Sequence, residues 1–249
     1  MTDFSPDEGG TLELRNYLLE GGRTADFIRY FEEHFLASQR DEGMHVLGQF
    51  EVVDRPDRFV WMRGFADMTA RRRGLEGFYG GACWLARRSA ANAMMREHHD
   101  VHLLRPLGSL ERMTAGVSPG DRAAEPPGLA PPSTGLVAVD FYRAAGALAR
   151  LVEVFGERVH AALVEHEHQV LGRFVAELTP NDYPRLPVVQ DPALLVVVTA
   201  YRDRAHHARL SAERRVPADV RALLTADVAT LLLRPTARSI VRYRGPGMG

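Results

Sequence analysis

Arg15 and Tyr17 stand two residues apart in an alternating stretch, Leu12 to Leu18, and a strand there would present both on one face. A guanidinium beside a phenol at such a place can stabilise an enolate or phenolate. His45, Gln49 and Glu51 alternate in the same way along His45 to Val53, and would share a face of the next strand. Glu33 and His34 lie near the end of the helical stretch before it. A histidine with a neighbouring carboxylate can act as a general base. His45, Glu33 and Arg15 are therefore the candidate catalytic set, with Tyr17, Gln49, Trp61 and His34 as candidate substrate contacts. Each has a plainer reading: rim salt bridges for Glu33 and Arg15, a surface strand start for His45, and core packing for Trp61 and Trp84.

The other inventories assign less. His98, Asp100 and His102 would line one strand face if the fourth strand began early, and His166-Glu167-His168 repeats the motif. Such spacings suit zinc, iron or copper. Both clusters fall at expected helix ends, however, where exposed histidines are common and complement the helix dipole. No metal and no cofactor are assigned. Cys83 stands alone, which excludes an internal disulfide framework and a thiolate zinc site. All 31 basic residues are arginine, so no Schiff-base or P-loop lysine exists. A net charge of −1 supplies no field to gather nucleic acid or an anionic membrane. No apolar run approaches the ~20 residues of a membrane span, and Met1 to Gly10 lacks the features of a secretory signal. The expectation is a cytoplasmic protein with a small-molecule partner, without nucleic acid or membrane, and with homo-oligomerisation left open.

The elements that must hold these residues occur twice. Val46-Leu47-Gly48-Gln49-Phe50 returns as Val170-Leu171-Gly172-Arg173-Phe174, Gly64-Phe65-Ala66-Asp67 as Ala200-Tyr201-Arg202-Asp203, and Leu104-Arg105-Pro106 as Leu233-Arg234-Pro235. In the first copy the pattern predicts a strand at Leu12 to Leu18, then a helix from Thr24 to about Arg40 with a stripe of Phe27, Phe31 and Phe35. Strands at His45 to Val53 and Phe59 to Phe65 follow, then helix from Asp67 to about Arg96 broken at Gly80-Gly81, and a strand at Val101 to Leu107. The second copy repeats this order between Leu136 and Arg234, with a long proline-bearing connection, Thr179 to Pro192, in its middle hairpin. Strand, helix, two strands, helix, strand is the ferredoxin-like pattern. The predicted organisation is residues 11–107, a Pro/Gly-rich linker at 108–134, and a diverged second unit at 135–244. Leu12 and Leu14 suit the helix side of the first sheet, and Arg15 with Tyr17 a mixed, partly buried interface. Leu194 to Thr199 is apolar on both faces, so the second sheet must be covered twice.

These residues carry a resemblance. Leu12-Glu13-Leu14-Arg15-Asn16-Tyr17, Glu32-Glu33-His34, Val46-Leu47-Gly48, the run Val60 to Asp67 with Arg71-Arg72-Arg73, and Leu104-Arg105-Pro106 resemble a NIPSNAP domain over about Thr11 to Leu107. The second copy keeps the Val-Leu-Gly and Leu-Arg-Pro signatures but reads Val137-Ala138-Val139-Asp140 where the first reads Leu-Glu-Leu-Arg. The resemblance implies an α+β fold: two tandem ferredoxin-like units packed sheet to sheet as an intramolecular dimeric α/β barrel. That superfamily holds cofactor-independent monooxygenases, cyclases, isomerases and heme-binding enzymes. The functional expectation is a cofactor-independent enzyme acting on a small apolar carbonyl or phenolic metabolite, with activity in the first copy. The alternative is a non-catalytic small-molecule-binding or protein-interaction module.

Overall fold

A computed structural model describes residues 10–108, 110–114, 122–131, 135–166, 168–213 and 216–245. The linker expected at 108–134 lies partly outside them. In the first half the alternating stretches form β1 (Thr11–Leu19), β2 (His45–Val52), β3 (Arg55–Phe65) and β4 (Met95–Pro106). The apolar stripes form α1 (Thr24–His34), α2 (Leu36–Asp41), α3 (Met68–Gly80) and α4 (Ala82–Asn92). After a short α5 (Glu111–Thr114), the second half supplies β5 (Leu136–Arg143), β6 (Gln169–Ala176), β7 (Leu194–Tyr201) and β8 (Ala229–Pro235). Its helices are α6 (Leu148–Val154), which runs through a π-helical turn into α7 (Ala161–Glu165), then α8 (Arg204–Glu213) and α9 (Ala218–Arg221).

The helix expected from Thr24 to Arg40 breaks at Phe35, whose φ of −109° loosens the turn. The His34 carbonyl at this break accepts from Ser38 Oγ at 3.0 Å and Cys83 Sγ at 3.3 Å, so side chains take up the backbone group. Gly43, at φ 74°, supplies the left-handed turn that returns the chain to β2.

Within each half the sheet order is the ferredoxin-like one, β4-β1-β3-β2 and β6-β7-β5-β8, with all pairs antiparallel. The halves then join edge to edge. β2 pairs β8 from Phe50↔Pro235 to Val52↔Leu233, and β4 pairs β6 from Leu104↔Ala176 to Pro106↔Phe174, which closes an eight-stranded barrel. Closure removes every free sheet edge. It also decides the faces, and reverses one expectation. Leu12 and Leu14 point into the barrel with Phe50, Met62, Val137, Val139, Phe174 and Val196, forming a filled apolar core. Arg15 and Tyr17 lie on the outer face, beneath the helices, where Tyr17 packs with Phe27, Ile28, Phe31 and Trp61. The centre of the cylinder is filled by apolar side chains and offers an arginine no counter-ion. On the outer face Glu13, in the same row of β1, is the counter-ion, and α2 and the connection Thr179 to Pro192 add Gln39, Asn181 and Asp182 as further partners.

The duplicated Val-Leu-Gly-x-Phe anchor now has a physical reason. In both copies a register shift precedes the glycine, between Val46 and Gly48 against β3 and between Val170 and Gly172 against β7. In both, the phenylalanine two residues on lies against the glycine. A methyl group at Gly48 would sit 2.4 Å from the Phe50 ring, and one at Gly172 2.7 Å from the Phe174 ring. Neither ring is exposed, so neither can swing aside. Gly48→Ala and Gly172→Ala are each expected to destabilise by about 1–3 kcal/mol, read as a lowered urea midpoint at unchanged slope. A midpoint shift in only one of them would contradict the equivalence of the two bulges.

The connection Thr179 to Pro192 belongs to the second half but runs onto the first. Val189 N–H donates to Val101 O at 2.7 Å and Val189 O accepts from Leu103 N–H at 3.1 Å, adding a short parallel bridge beside β4. Tyr183 is buried in the aromatic cluster of the first half.

Candidate functional site

The odd-numbered residues of β1 place Glu13, Arg15 and Tyr17 in one row facing the helices. Their cross-strand partners on β3 are Arg63, Trp61 and Phe59. Asp67 caps α3 by accepting from Ala70 N–H at 2.6 Å, and Arg71, one turn further on, reaches down to the same row. Glu13 Oε2 accepts from Arg15 Nη1 at 2.7 Å and Arg63 Nε at 2.8 Å, while Oε1 accepts from Arg71 Nε at 2.7 Å. All four side chains are at most 1% exposed. Burial by itself would raise the Glu13 pKa. The guanidinium groups of Arg63, Arg15 and Arg71 override it and hold the carboxyl far below the usual carboxylate range. Arg63 Nη1 goes on to Gln39 Oε1 at 2.9 Å, and Arg71 Nη1 to Asn181 Oδ1 at 3.0 Å and Asp182 Oδ1 at 3.2 Å. The last two sit on the connection contributed by the second half.

Arg15 Nε donates to Tyr17 Oη at 2.9 Å. Burial pushes the Tyr17 phenol up, and Arg15 pulls the other way without overcoming it, so the phenol keeps its proton at neutral pH. Since its oxygen accepts from Arg15, its proton is available to a second acceptor. The guanidinium groups of Arg15 and Arg63 lie 5.3 and 5.0 Å from the Trp61 ring, in cation–π range. Tyr17, Trp61 and Gln39 form one wall of a cavity of about 30 Å³, and Phe31, Phe35, Tyr79 and Trp84 form much of the rest. That volume holds about two waters. On the other side of Tyr79 an open groove of about 390 Å³ runs between Arg72, Glu76, Asp182, Tyr183 and Arg185. Tyr79 stacks on Tyr183 at 6.2 Å and 22°, so the stacked pair divides cavity from groove.

Of the residues singled out in the sequence, Arg15, Tyr17 and Trp61 come together here. Gln49 is Trp61's cross-strand partner on β2, fully buried, with its amide nitrogen unpartnered. His45 does not join them. The bulge before Gly48 inserts one residue, so His45 pairs with Gly64 whereas Gln49 pairs with Trp61, and the two lie on opposite faces. His45 and Glu33 instead line a separate pocket of about 80 Å³ with Glu32, Arg40, Arg122 and Arg238. Burial there lowers the His45 pKa. In that pocket Glu32 is a clamp, accepting from Thr236 Oγ1 at 2.6 Å, Gly128 N–H at 2.7 Å and Arg238 N–H at 3.1 Å. His34 meets Tyr30 edge-on at 4.5 Å and lines neither pocket.

The fourth strand does begin early, but a second register shift, between Asn16 and Leu18, separates the histidines. His98 meets Tyr17 edge-on at 6.2 Å on the helix side, while His102 meets Phe141, which packs on the barrel interior. His102 Nε2 lies 3.4 Å from Asp100. Of the second cluster, Glu167 lies outside the described residues. His168 is buried, with Nδ1 3.4 Å from Tyr201 Oη. Among the described residues no three histidine, cysteine or carboxylate groups converge as ligands.

The residues that sequence reasoning passed over are Glu13, Arg63, Arg71 and Gln39, with Tyr79 and Asp182 at the boundary. The alternation that paired Arg15 with Tyr17 also includes Glu13, and Arg63 interrupts the apolar run Val60 to Phe65; both signals were present. The second half carries no counterpart of the cluster. Register equates Glu13 and Arg63 with Ala138 and Thr199, and Arg15 and Trp61 with Asp140 and Val197.

No protein-family model matches the chain and no curated protein matches its sequence. Solved structures do match in shape. A candidate monooxygenase from Lactobacillus acidophilus NCFM superposes with a TM-score of 0.58 at 9% identity, covering 92% of this chain and 94% of that one. One from Fusobacterium nucleatum gives 0.58 at 6% identity, covering 91% and 92%. A NIPSNAP family protein from Agrobacterium tumefaciens matches 39% of this chain and 85% of its own, at 18% identity and a TM-score of 0.37. No helix among the described residues is long and apolar enough to cross a membrane. The full-length matches and the closed eight-stranded topology agree: the chain is a dimeric α/β barrel folded from a single polypeptide.

Proposed function

We propose that the protein is a cofactor-independent enzyme of the isomerase, cyclase or monooxygenase type, which draws a proton from a small planar phenol or enolisable carbonyl compound. One observation carries the reading: a tyrosine whose hydroxyl is fixed by a buried arginine forms part of the wall of an aromatic cavity between sheet and helices. Tyr17 would donate to the substrate oxygen as negative charge develops there, and Arg15 would strengthen that donation. Trp61 would hold the ring. His98 is the nearest histidine to Tyr17 in the aromatic contacts, and serves in this reading as the base. Burial, with His99 and Arg15 adding to it, lowers its pKa, so its imidazole is uncharged at neutral pH. This replaces His45 and Glu33 as the acid–base pair, because they line the other pocket. The candidate monooxygenases that share the fold support the class of chemistry.

Proton abstraction is common to all three reaction types, so the test is exchange. In D₂O, deuterium uptake at the enolisable carbon of a cyclic 1,3-dicarbonyl compound, followed by proton NMR, should exceed the buffer rate. Because the His98 pKa lies below its ordinary value of about 6.5, the rate should stay on its plateau as pH falls to about 6.5, and decline only below it. Binding without exchange would leave a ligand-binding module and overturn the enzymatic reading.

A further inference from the structure

We infer that the ligand of this cavity carries a carboxylate, which Arg71 receives in place of Asp182. The inference rests on reading the cavity as the ligand site, and goes beyond it in naming the ligand's charge. Three guanidinium groups meet here, on one fully buried carboxylate, Glu13, and one partly exposed carboxylate, Asp182. Among the groups in contact, one positive charge is unmatched. The unpartnered polar atoms have the same sense. Trp61 Nε1, in the cavity wall, and Arg71 Nη2, on the guanidinium that meets Asp182 of the groove, are buried hydrogen-bond donors with no acceptor. A site with surplus donors and surplus positive charge is complementary to an anionic oxygen ligand.

Asp182 shows where that group would go. It reaches Arg71 from the connection between β6 and β7, 28% exposed, next to Asn181, whose Nδ2 folds the turn by donating to Leu186 O at 2.9 Å. Its neighbour Tyr183 stacks on Tyr79, the residue shared by the aromatic cavity and the open groove. A planar acid in the groove that took Arg71 from Asp182 would release the turn. Tyr79 and Tyr183 could then part and join the 390 Å³ groove to the aromatic cavity. The connection from the second half is thus part of the binding site, and the carboxylate it offers is a substitute for the ligand's own.

Calorimetric titration of the full chain with 4-hydroxybenzoate and its uncharged isostere 4-hydroxybenzamide tests this. The chain's two tryptophans, Trp61 and Trp84, both line the cavity and report arrival there by fluorescence. The acid should bind about tenfold or more tightly than the amide. Asp182→Asn should widen that ratio by about tenfold, because the competing carboxylate is gone. Arg71→Gln should abolish the preference, and Asp182→Asn keeps the question decidable if Arg71→Gln does not fold. A merely looser turn would improve both ligands equally and leave the ratio fixed. Equal affinity of acid and amide, or a ratio unmoved by Asp182→Asn, overturns the inference while the cavity reading stands. Absence of binding by either compound overturns both.

Discussion

Glu13→Gln is expected to lower the stability of the protein by about 3–5 kcal/mol at neutral pH, the largest single-residue effect the structure implies. A glutamine retains the shape and one acceptor oxygen, but none of the charge that balances Arg15, Arg63 and Arg71. Those guanidinium groups are at most 1% exposed and cannot turn to water. The effect has a pH signature of definite sign. The Glu13 carboxyl is held far below the value of about 4.3 it would have in the unfolded chain. Between those values the unfolded chain binds the proton and the folded one does not, so the stabilisation is complete above about pH 5 and drains away as pH falls through 4 and below. Urea denaturation of wild type and Glu13→Gln should therefore differ by several kcal/mol at pH 7 and by about 2 kcal/mol less at pH 3. A difference below about 1 kcal/mol at pH 7 would show that the cluster is solvated and not the buried network described.

Tyr17→Phe is expected to slow deuterium exchange by about 10²–10³-fold at saturating substrate with little change in KM. The ring stays, so packing against Phe27 and Trp61 is kept; what is lost is the hydroxyl that accepts from Arg15. Leaving Arg15 Nε without its acceptor costs about 1–3 kcal/mol of stability, which a folded barrel can absorb. A structural role alone would show in the denaturation midpoint and not in the maximal rate. His45→Asn supplies the contrast: it alters the separate pocket beside Glu33, and the exchange rate should not change. Loss of exchange in His45→Asn, with Tyr17→Phe unaffected, would return the acid–base role to His45 and Glu33.

How far the site was legible follows from the range over which each feature is encoded. Alternation is local, so the row containing Arg15 and Tyr17 could be read directly, and the β3 arginine and tryptophan were visible as interruptions of an apolar run. Face-sharing in β2 could not be read, because a single inserted residue before Gly48 reverses the parity, and it takes a partner strand to reveal a bulge. The same happens in β4, where the shift between Asn16 and Leu18 parts His98 from His102. Arg71 joins the cluster only because α3 lies across β1 and β3, and Asp182 only because a loop from the other half crosses over. Neither contact has a local signature.

By itself, then, the sequence determined the repeat, the order of strands and helices in each copy and the rows of side chains along each strand, since these depend on neighbours a few residues away. Which row faces the core was decided by the tertiary structure. Once β2 met β8 and β4 met β6, one face of every strand was sealed inside a cylinder with no polar partner to offer, and Leu12 and Leu14 filled it. The charged row was left outside, under helices and a crossing loop that could supply Gln39, Asn181 and Asp182. Burying a charge demands partners, and those partners came from parts of the chain up to 111 residues away.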